Sequence, residues 1–400
     1  MAEYTFRARS LTGETWNGTT EADSAEALEY TLNEKGYFSL SIKQKADGVR
    51  LFSMLDKVNK RDLAVFCRQL AVIINSGVTI IEAIDILSKQ MSKKIFRDAL
   101  EAVGDDVQKG KLLSQAMSSF PTIFPEFLRN MIRVGEASGT LDDIMDQMAN
   151  YYESEDKINR KVKSAMTYPM ILGIMTVGVV ILLMVMVLPM FSGVLSEMGG
   201  EMPGITKVLM SISSFMTANF LYIVFIIVFI IIGITAYGRS DSGRLRFDAI
   251  RLKVPVFKNI TIKVITSRFA RSMGILLKSG LNIINAMDIM STLIGNRVVE
   301  ARFVQSSEEV QQGRGISESL VKLEIFPPLL IHMVAVGERT GELDQMLLRT
   351  SGFFDDEAEA AISKMTTMIE PAMIVVLAGV IGVILLSIFL PMLSIMNNVT

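Results

Sequence analysis

Residues 124–143 read FPEFLRNMIRVGEASGTLDD, and residues 326–345 repeat this stretch as FPPLLIHMVAVGERTGELDQ. Both copies begin with Phe-Pro and contain the pattern VGE-x-x-G-x-LD. The main motif positions are Gly135, Glu136, Gly139, Leu141 and Asp142 in the first copy, and Gly337, Glu338, Gly341, Leu343 and Asp344 in the second. A repeat at this separation indicates duplication of a whole module rather than a short solenoid period.

Within each copy, the glycines and aspartates are expected to separate one helix from the next. Gly139 follows a helical pattern and is expected to end that helix. Thr140 is expected to cap the following helix, whose first turn carries Asp142, where the helix dipole favours a negative charge. Glu136 has two interpretations. The favoured one is that it closes one helix and orients the next; the other is a contact point with another subunit, or capping of a neighbouring helix.

The duplication extends well beyond this motif. The pattern F-x-R-x-L at Phe66 recurs at Phe269 with methionine in place of leucine, and both copies continue to a Ser-Gly pair. A capping box predicted at Thr79-Ile-Ile-Glu82 is absent from the second copy. Pro169 and Pro371 occupy corresponding positions, and each is expected to mark the entry of the chain into a membrane.

The composition indicates a membrane protein. Half of the 400 residues are hydrophobic, and the mean hydropathy is +0.40. Three long runs free of charge lie within 165–196, 208–238 and 371–400. Because about 20 apolar residues suffice to cross a bilayer, these runs predict transmembrane helices at 169–191, 220–238 and 371–396.

The basic residues predict the orientation of these spans. Lys157, Arg160, Lys161 and Lys163 precede the first span, whereas the connection between the first and second spans carries only Lys207. The second span is followed by a basic set: Arg239, Arg244, Arg246, Arg251, Lys253, Lys258 and Lys263. Since basic residues concentrate on the cytosolic side, both repeated modules are predicted to be cytosolic and the C-terminus external.

The N-terminal region is predicted to be a separate small α+β unit. Alternating residues indicate strands near 4–8, 15–18 and 38–42, and a capped amphipathic pattern indicates a helix at 24–34. The chain start lacks the pattern of a signal peptide, so the N-terminus is expected to be cytosolic.

The sequence thus predicts an all-α membrane protein with two homologous cytosolic helical bundles, three transmembrane helices and a small α+β N-terminal domain. The predicted division is 1–45 N-terminal domain, 46–60 linker, 61–168 first cytosolic domain, 169–191 first span, 192–219 external (periplasmic) loop, 220–238 second span, 239–370 second cytosolic domain and 371–396 third span.

Catalytic and cofactor chemistry is not predicted. His332 is the single histidine and Cys67 the single cysteine, so neither a histidine-based site nor an intramolecular disulfide is indicated. The stretch from Gly104 to Lys111 differs from a phosphate loop in its spacing and lacks the final Ser or Thr. A net charge of −2 gives no general case for nucleic acid binding. We therefore expect no cofactor and no enzymatic activity.

Two other possibilities stay open at this stage. Acidic residues at Glu153, Glu155 and Asp156 could hold a divalent cation between subunits, although a solvated helix face is favoured. A channel or secondary transporter is the alternative function. It is disfavoured because the predicted spans contain almost no polar groups, whereas transport pathways usually carry buried ionisable residues.

The doubled VGE-x-x-G-x-LD module, the F-x-R-x-L pattern and the three spans resemble the GspF/PilC family of type II secretion and type IV pilus platform proteins. The stretch MPGITKVL at 202–209 is similar to a family segment, and residues 4–28 are similar to the family's leading domain. This resemblance implies a non-enzymatic scaffold in the inner membrane, with type IV pilus biogenesis favoured.

The resemblance also implies partners. They are a hexameric cytosolic assembly ATPase, pilins or pseudopilins, other inner-membrane assembly components and further copies of this chain. The platform would couple the ATPase to the insertion or removal of pilin subunits. On this view Glu136 and Glu338 could also lie on the surface that meets the ATPase.

Overall fold

The computed structural model describes residues 2–10, 15–22, 37–44, 57–197 and 204–399. At the N-terminus, strands β1 (Ala2–Ser10), β2 (Thr15–Ala22) and β3 (Tyr37–Gln44) form an antiparallel sheet in the order β2-β1-β3. The helix predicted at 24–34 and most of the predicted linker lie outside the described residues. The α+β character of this unit therefore stays a prediction.

The first module consists of six helices. They are α1 (Lys60–Asn75), α2 (Ile80–Gln90), α3 (Lys94–Gln108), α4 (Leu113–Met117), α5 (Glu126–Ser138) and α6 (Leu141–Leu182).

The second module repeats this order. Its helices are α11 (Pro255–Lys278), α12 (Ile283–Leu293), α13 (Arg297–Gln311), α14 (Ile316–Val321), α15 (Pro328–Thr340) and α16 (Leu343–Val399). Between the modules lie a π-helical segment (Leu183–Val187), α7 (Leu188–Glu197), α8 (Gly204–Ala218), α9 (Phe220–Tyr237) and α10 (Asp241–Lys253).

The helix starts of the two modules use different residues for the same purpose. Thr79 accepts a hydrogen bond from the backbone N–H of Glu82 at 3.3 Å. In the second module Asn282 accepts from the N–H of Asn285 at 2.8 Å. Helix α12 therefore has a capped N-terminus although the Thr…Glu pattern is missing, because an asparagine side chain can satisfy the same backbone donor.

Each module has an aromatic centre. Phe66, Phe96 and Phe124 have ring centroids 5.6 to 6.1 Å apart, and all three side chains are buried. In the second module Phe269 lies 5.7 Å from Phe303 and 4.8 Å from Phe326. Each buried phenylalanine contributes about 2–3 kcal/mol relative to an exposed one.

The single cysteine belongs to the core of the first module. Cys67 is buried, and the second module has Ala270 at the corresponding position, which is buried as well. Burial raises the pKa of the Cys67 thiol. A neutral, inaccessible thiol is a poor nucleophile, so this side chain acts as a packing residue.

Three helices are long and apolar enough to cross a membrane. They lie within Leu141–Phe191, Phe220–Tyr237 and Leu343–Ser387. The first and third begin inside the modules, so α6 and α16 pass through Pro169 and Pro371 without a break. The 42 residues of α6 extend about 63 Å at 1.5 Å per residue. Each module is therefore joined to its apolar segment by a continuous helix rather than by a hinge.

The connection predicted as an external loop is largely helical. Thr206 in α8 donates a hydrogen bond from Oγ1 to the carbonyl oxygen of Ser387 at 2.8 Å, and Ser213 donates from Oγ to that of Met184 at 2.6 Å. Both side chains are buried. The π-helical turn at Leu183–Val187 precedes Pro189, which has no backbone N–H to donate to the helical ladder.

Candidate functional site

The second glycine of each motif ends a helix in the left-handed conformation. Gly139 has φ 72° and Gly341 has φ 75°, and their N–H groups donate to the carbonyl oxygens of Gly135 and Gly337. A side chain at this φ is disfavoured because its Cβ would approach the backbone. The chain reverses at these residues and enters the long helices α6 and α16.

The first glycine of each motif permits close packing of two helices. A Cβ at Gly135 would lie 3.0 Å from the Cα of Leu141, and a Cβ at Gly337 would lie 2.7 Å from the Cα of Leu343. Leu141 and Leu343 are buried at these crossings. The long helix of each module therefore starts in direct backbone contact with the helix before it.

The motif glutamates cap a different helix of their own module. The Glu136 carboxylate accepts hydrogen bonds from the backbone N–H groups of Leu113 and Ser114 and from the Ser114 hydroxyl. Glu338 accepts from Ile316 and Ser317 in the same way. The residues at the N-cap positions of α4 and α14 make no side-chain cap. A carboxylate at these helix starts satisfies free N–H groups and complements the helix dipole.

The remaining motif residues have simpler surroundings. Asp142 and Asp344 lie half-buried in the first turns of α6 and α16. Thr140 occupies the N-cap position of α6 but makes no capping hydrogen bond, so that prediction is wrong. Its hydroxyl instead lies 2.7 Å from the Ser138 hydroxyl. The motif as a whole holds three helices of one module in a defined arrangement.

The most buried ion pair between the modules involves a residue that the sequence indicated only as part of an acidic group. Glu155 in α6 has a side chain that is only 4% exposed. Its carboxylate accepts from Lys60 of its own module and from Nε and Nη2 of Arg268 in the second module, at 2.8 and 2.9 Å. Arg268 also donates to the carbonyl oxygen of Ile294 at 3.2 Å.

The charges of this contact stabilise each other. Burial by itself raises the pKa of Glu155, but Arg268 and Lys60 outweigh burial and lower the pKa to about 2. Burial by itself lowers the pKa of Arg268, but Glu155 raises it above the usual value. A carboxylate that is buried with two cationic partners stays ionised, whereas an unpaired one would not.

A second ion-pair group lies further along the same interface. Glu359 in α16 accepts from Lys157 at 3.0 Å and from Lys161. The space beside it, lined in part by Ile158 and Ile362, is only about 10 Å³. Helix α6 therefore packs closely against α16 on the side of the modules that leads to the apolar segments.

The acidic residues considered for a cation are all paired with basic side chains. Glu153 accepts from Arg68, Glu155 from Lys60 and Arg268, and Asp156 lies 2.9 Å from Arg160. Among the described residues, the structure contains no group of three or more potential metal ligands. His332 is exposed on α15.

The repeat preserves some of these ion pairs and alters others. Lys60–Glu155 in the first module corresponds to Lys263–Glu357 in the second, which are 2.5 Å apart. However, the position of Arg268 is occupied by Val65 in the first module. The bidentate contact therefore occurs on only one side of the duplicated structure.

The fold defines a membrane-embedded scaffold. It consists of a duplicated helical module, two long helices that continue into apolar segments, and a third apolar helix. The model of the family described as "Type II secretion system (T2SS), protein F" matches residues 66–189 and 269–391. The model described as "Type II secretion system protein F, N-terminal domain" matches residues 1–43. The chain belongs to the type II secretion system protein F family.

Named relatives match over nearly their whole length. The type IV pilus assembly protein PilC of Thermus thermophilus is 35% identical, with full coverage of both chains. PilC of Myxococcus xanthus is 33% identical over 98% of this chain and 95% of its own length. The type II secretion system protein F of Pseudomonas aeruginosa is 32% identical over 98% of both.

Family membership has two direct consequences. Members are structural platform proteins rather than enzymes, and this chain is one of them. Together with the three apolar helices, the family indicates an inner-membrane protein. The resemblance noted from the repeated motif is confirmed.

Proposed function

We propose that this chain is the inner-membrane platform of a type IV pilus or type II secretion machine, with pilus assembly favoured. It would couple a hexameric cytosolic ATPase to the insertion or removal of pilins or pseudopilins. The proposal rests on the rigid connection between the modules and the apolar segments. Both modules continue into apolar segments through unbroken helices, and the buried Glu155–Arg268 pair joins the modules. A force applied to either module would therefore reach the bilayer with little loss in flexible connections.

The proposed topology follows from the basic residues. Residues 61–168 and 239–370 are the two cytosolic domains, the N-terminus is cytosolic, and 192–219 and the C-terminus are external. In this arrangement the Glu155–Arg268 contact lies on the cytosolic side. It would then be accessible to the force of a cytosolic ATPase without crossing the membrane.

The motif residues have an indirect role in this proposal. Glu136 and Glu338 face the starts of α4 and α14, where they hold the module together. We infer that they maintain the shape of the surface presented to the ATPase and do not themselves form the contact. Pilins, pseudopilins, other inner-membrane assembly components and further copies of the chain are the expected partners, and no cofactor is needed.

Deletion of the gene tests this function. We expect surface pili, or secretion of the machine's substrates, to be lost while pilin accumulates in the inner membrane. Restoring the wild-type gene should restore assembly. Normal pili and normal secretion in the deletion strain would contradict the proposal, and solute flux through reconstituted vesicles would support a channel instead.

Co-purification tests the partner. The full-length protein should retain the assembly ATPase in detergent, and a variant with a loosened module contact, Arg268→Leu, should retain less of it. The pilus and secretion alternatives can be separated by whether the retained ATPase belongs to a pilus or a secretion gene cluster. Equal retention of unrelated ATPases would count against a specific platform role.

A further inference from the structure

Apart from Lys157 and Glu359, which occupy equivalent positions of α6 and α16, the ion pairs between the two modules join non-equivalent surfaces. The first module contributes α6 with Tyr151 and Glu155, whereas the second contributes α11 and α16 with Arg268 and Ile362. If the contact were symmetric, Val65 would lie against Glu357, yet both are substantially exposed. The association is therefore head-to-tail, and it leaves one unused surface of each kind.

The unused groove lies on the first module. It is an open space of about 410 Å³ between α1 and α6, lined in part by Val65, Arg68 and Arg160, and we call it the open groove. The corresponding space on the second module, beside Asp355 and Ile362, has shrunk to about 10 Å³ because α6 occupies it.

Side-chain exposure follows the same division. Ile275 on α11 is 2% exposed, whereas Val72 at the corresponding position of α1 is 63% exposed. Val65 and Val72 are two turns apart, so both lie on one face of α1 beside the open groove. These apolar residues are exposed in the first module, whereas the corresponding position in the second module is covered. Such an exposed apolar surface indicates a binding site for another protein surface.

The unused ridge lies on the second module. Tyr151, which is buried beside Arg268 and Arg271, corresponds to Phe353, which is 48% exposed. Its buried neighbour Phe127 corresponds to the exposed Leu329. Together with Asp356 and Glu357 these exposed residues form a surface that we call the free ridge.

The free ridge is acidic, and the open groove has a small excess of basic residues. The free ridge carries Asp356 and Glu357. The open groove is lined by three arginines and two acidic residues, namely Arg61, Arg68, Arg160, Glu153 and Asp156. Two of these arginines, Arg68 and Arg160, pair with Glu153 and Asp156. Within the internal contact, the Glu155–Arg268 pair also has its acid on the ridge side, whereas the Lys157–Glu359 pair has its acid on the groove side. The apolar residues of the unused surfaces therefore match those of the used ones more closely than the charges do.

We propose that a second copy of this chain places its free ridge in the open groove of the first, so that copies associate head-to-tail through the cytosolic modules. This contact continues the internal one, because each module would present its ridge to the groove of the next. Such contacts form a ring when the rotation between copies closes. The proposal concerns how copies meet and does not depend on which machine the protein serves.

Two substitutions test the contact in opposite directions, using the purified full chain in detergent. Val65→Arg introduces the guanidinium that Arg268 supplies inside the chain, so it should strengthen self-association up to about fivefold. Phe353→Asp puts a charge at the centre of the ridge and should weaken it about tenfold or more. Val321→Asp, at an exposed apolar residue outside both surfaces, is the matched control and should change nothing.

Cross-linking tests the direction of the contact. In a Cys67→Ala background, a chain with Val65→Cys should react with a chain carrying Glu357→Cys through a short bis-maleimide. Neither chain should cross-link to itself. Self-linking of the Val65→Cys chain would indicate a symmetric contact and overturn the proposal. The proposal would also be overturned if the Val65→Arg and Phe353→Asp proteins both had the self-association of the wild type. This comparison requires that their unfolding midpoints match the wild type.

Discussion

Glu155 and Arg268 join the two halves of a duplicated protein by a bidentate ion pair, with N···O distances of 2.8 and 2.9 Å. Val65 replaces the arginine in the first module, so the pair has no counterpart in the repeat. A contact present on one side only makes two homologous modules unequal. This asymmetry fixes which face of each module is covered inside the chain and which stays open.

Breaking this pair should destabilise the protein strongly. Glu155→Ala leaves Arg268 and Lys60 without their buried carboxylate, and removal of one partner from a buried pair costs about 3–5 kcal/mol. Glu357→Ala is the matched control because Glu357 is 40% exposed and pairs with Lys263 alone; we expect a cost below about 1 kcal/mol. Unfolding of both variants in detergent measures the difference. Equal costs would show that burial at the module contact adds nothing.

The same pair should make stability depend on pH in the acid range. Folding lowers the pKa of Glu155 from 4.5 to about 2. The folded state therefore binds this proton less readily than the unfolded state, and the stabilisation is present above pH 4.5 and is lost as pH falls towards 2. The difference in unfolding midpoint between wild type and Glu155→Gln should shrink across this window. A constant difference would contradict the assignment.

Substitution of the first motif glycine should disturb the helix crossing. Gly337→Ala places a Cβ 2.7 Å from the Cα of Leu343, and backbone atoms cannot move aside cheaply. We expect a loss of about 1–3 kcal/mol in unfolding free energy. Gly352→Ala is the control, since a Cβ there meets nothing within 4 Å and the residue lies inside α16. That variant should be neutral or gain up to about 1 kcal/mol.

Removal of a motif carboxylate should loosen a short helix. Glu136→Ala uncaps α4 and should cost about 1–2 kcal/mol, because two backbone N–H groups and the Ser114 hydroxyl lose their acceptor. Amide hydrogen exchange of Leu113 and Ser114 should become faster. Glu101→Ala on the exposed side of α3 should stay within about 0.5 kcal/mol of wild type. Unchanged exchange in the Glu136 variant would rule out the capping role.

Part of the candidate site could be predicted because it is local. Gly139 and Gly341 follow apolar helical patterns, and a glycine in that position commonly ends a helix in the left-handed conformation. The motif alone did not predict which helix Glu136 caps, because Ser114 lies 22 residues earlier in the chain. A signal did exist in the repeat, since Ser317 and Glu338 recur at nearly the same separation.

The membrane connection was predicted only in outline. Charge-free runs located the apolar segments because the bilayer core selects composition directly. Unbroken helices through Pro169 and Pro371 were not indicated, since both prolines suggested the points of membrane entry. Helix α8 also lay in a presumed loop. Its hydrogen bonds from Thr206 and Ser213 reach backbone carbonyls of distant helices, and sequence periodicity carries no information about such partners.

The amino-acid sequence by itself determined the duplication, the three apolar segments and the separation of one helix from the next. These follow from composition, spacing and the conformations open to glycine, all of which act over a few residues. Only the tertiary structure decided that Glu155 meets Arg268 and that Glu136 caps α4. Those contacts depend on how whole helices cross, which many side chains determine together. The tertiary structure also decided that unlike faces of the two modules pair. Two similar modules can associate symmetrically or head-to-tail, and side-chain packing selects between these arrangements.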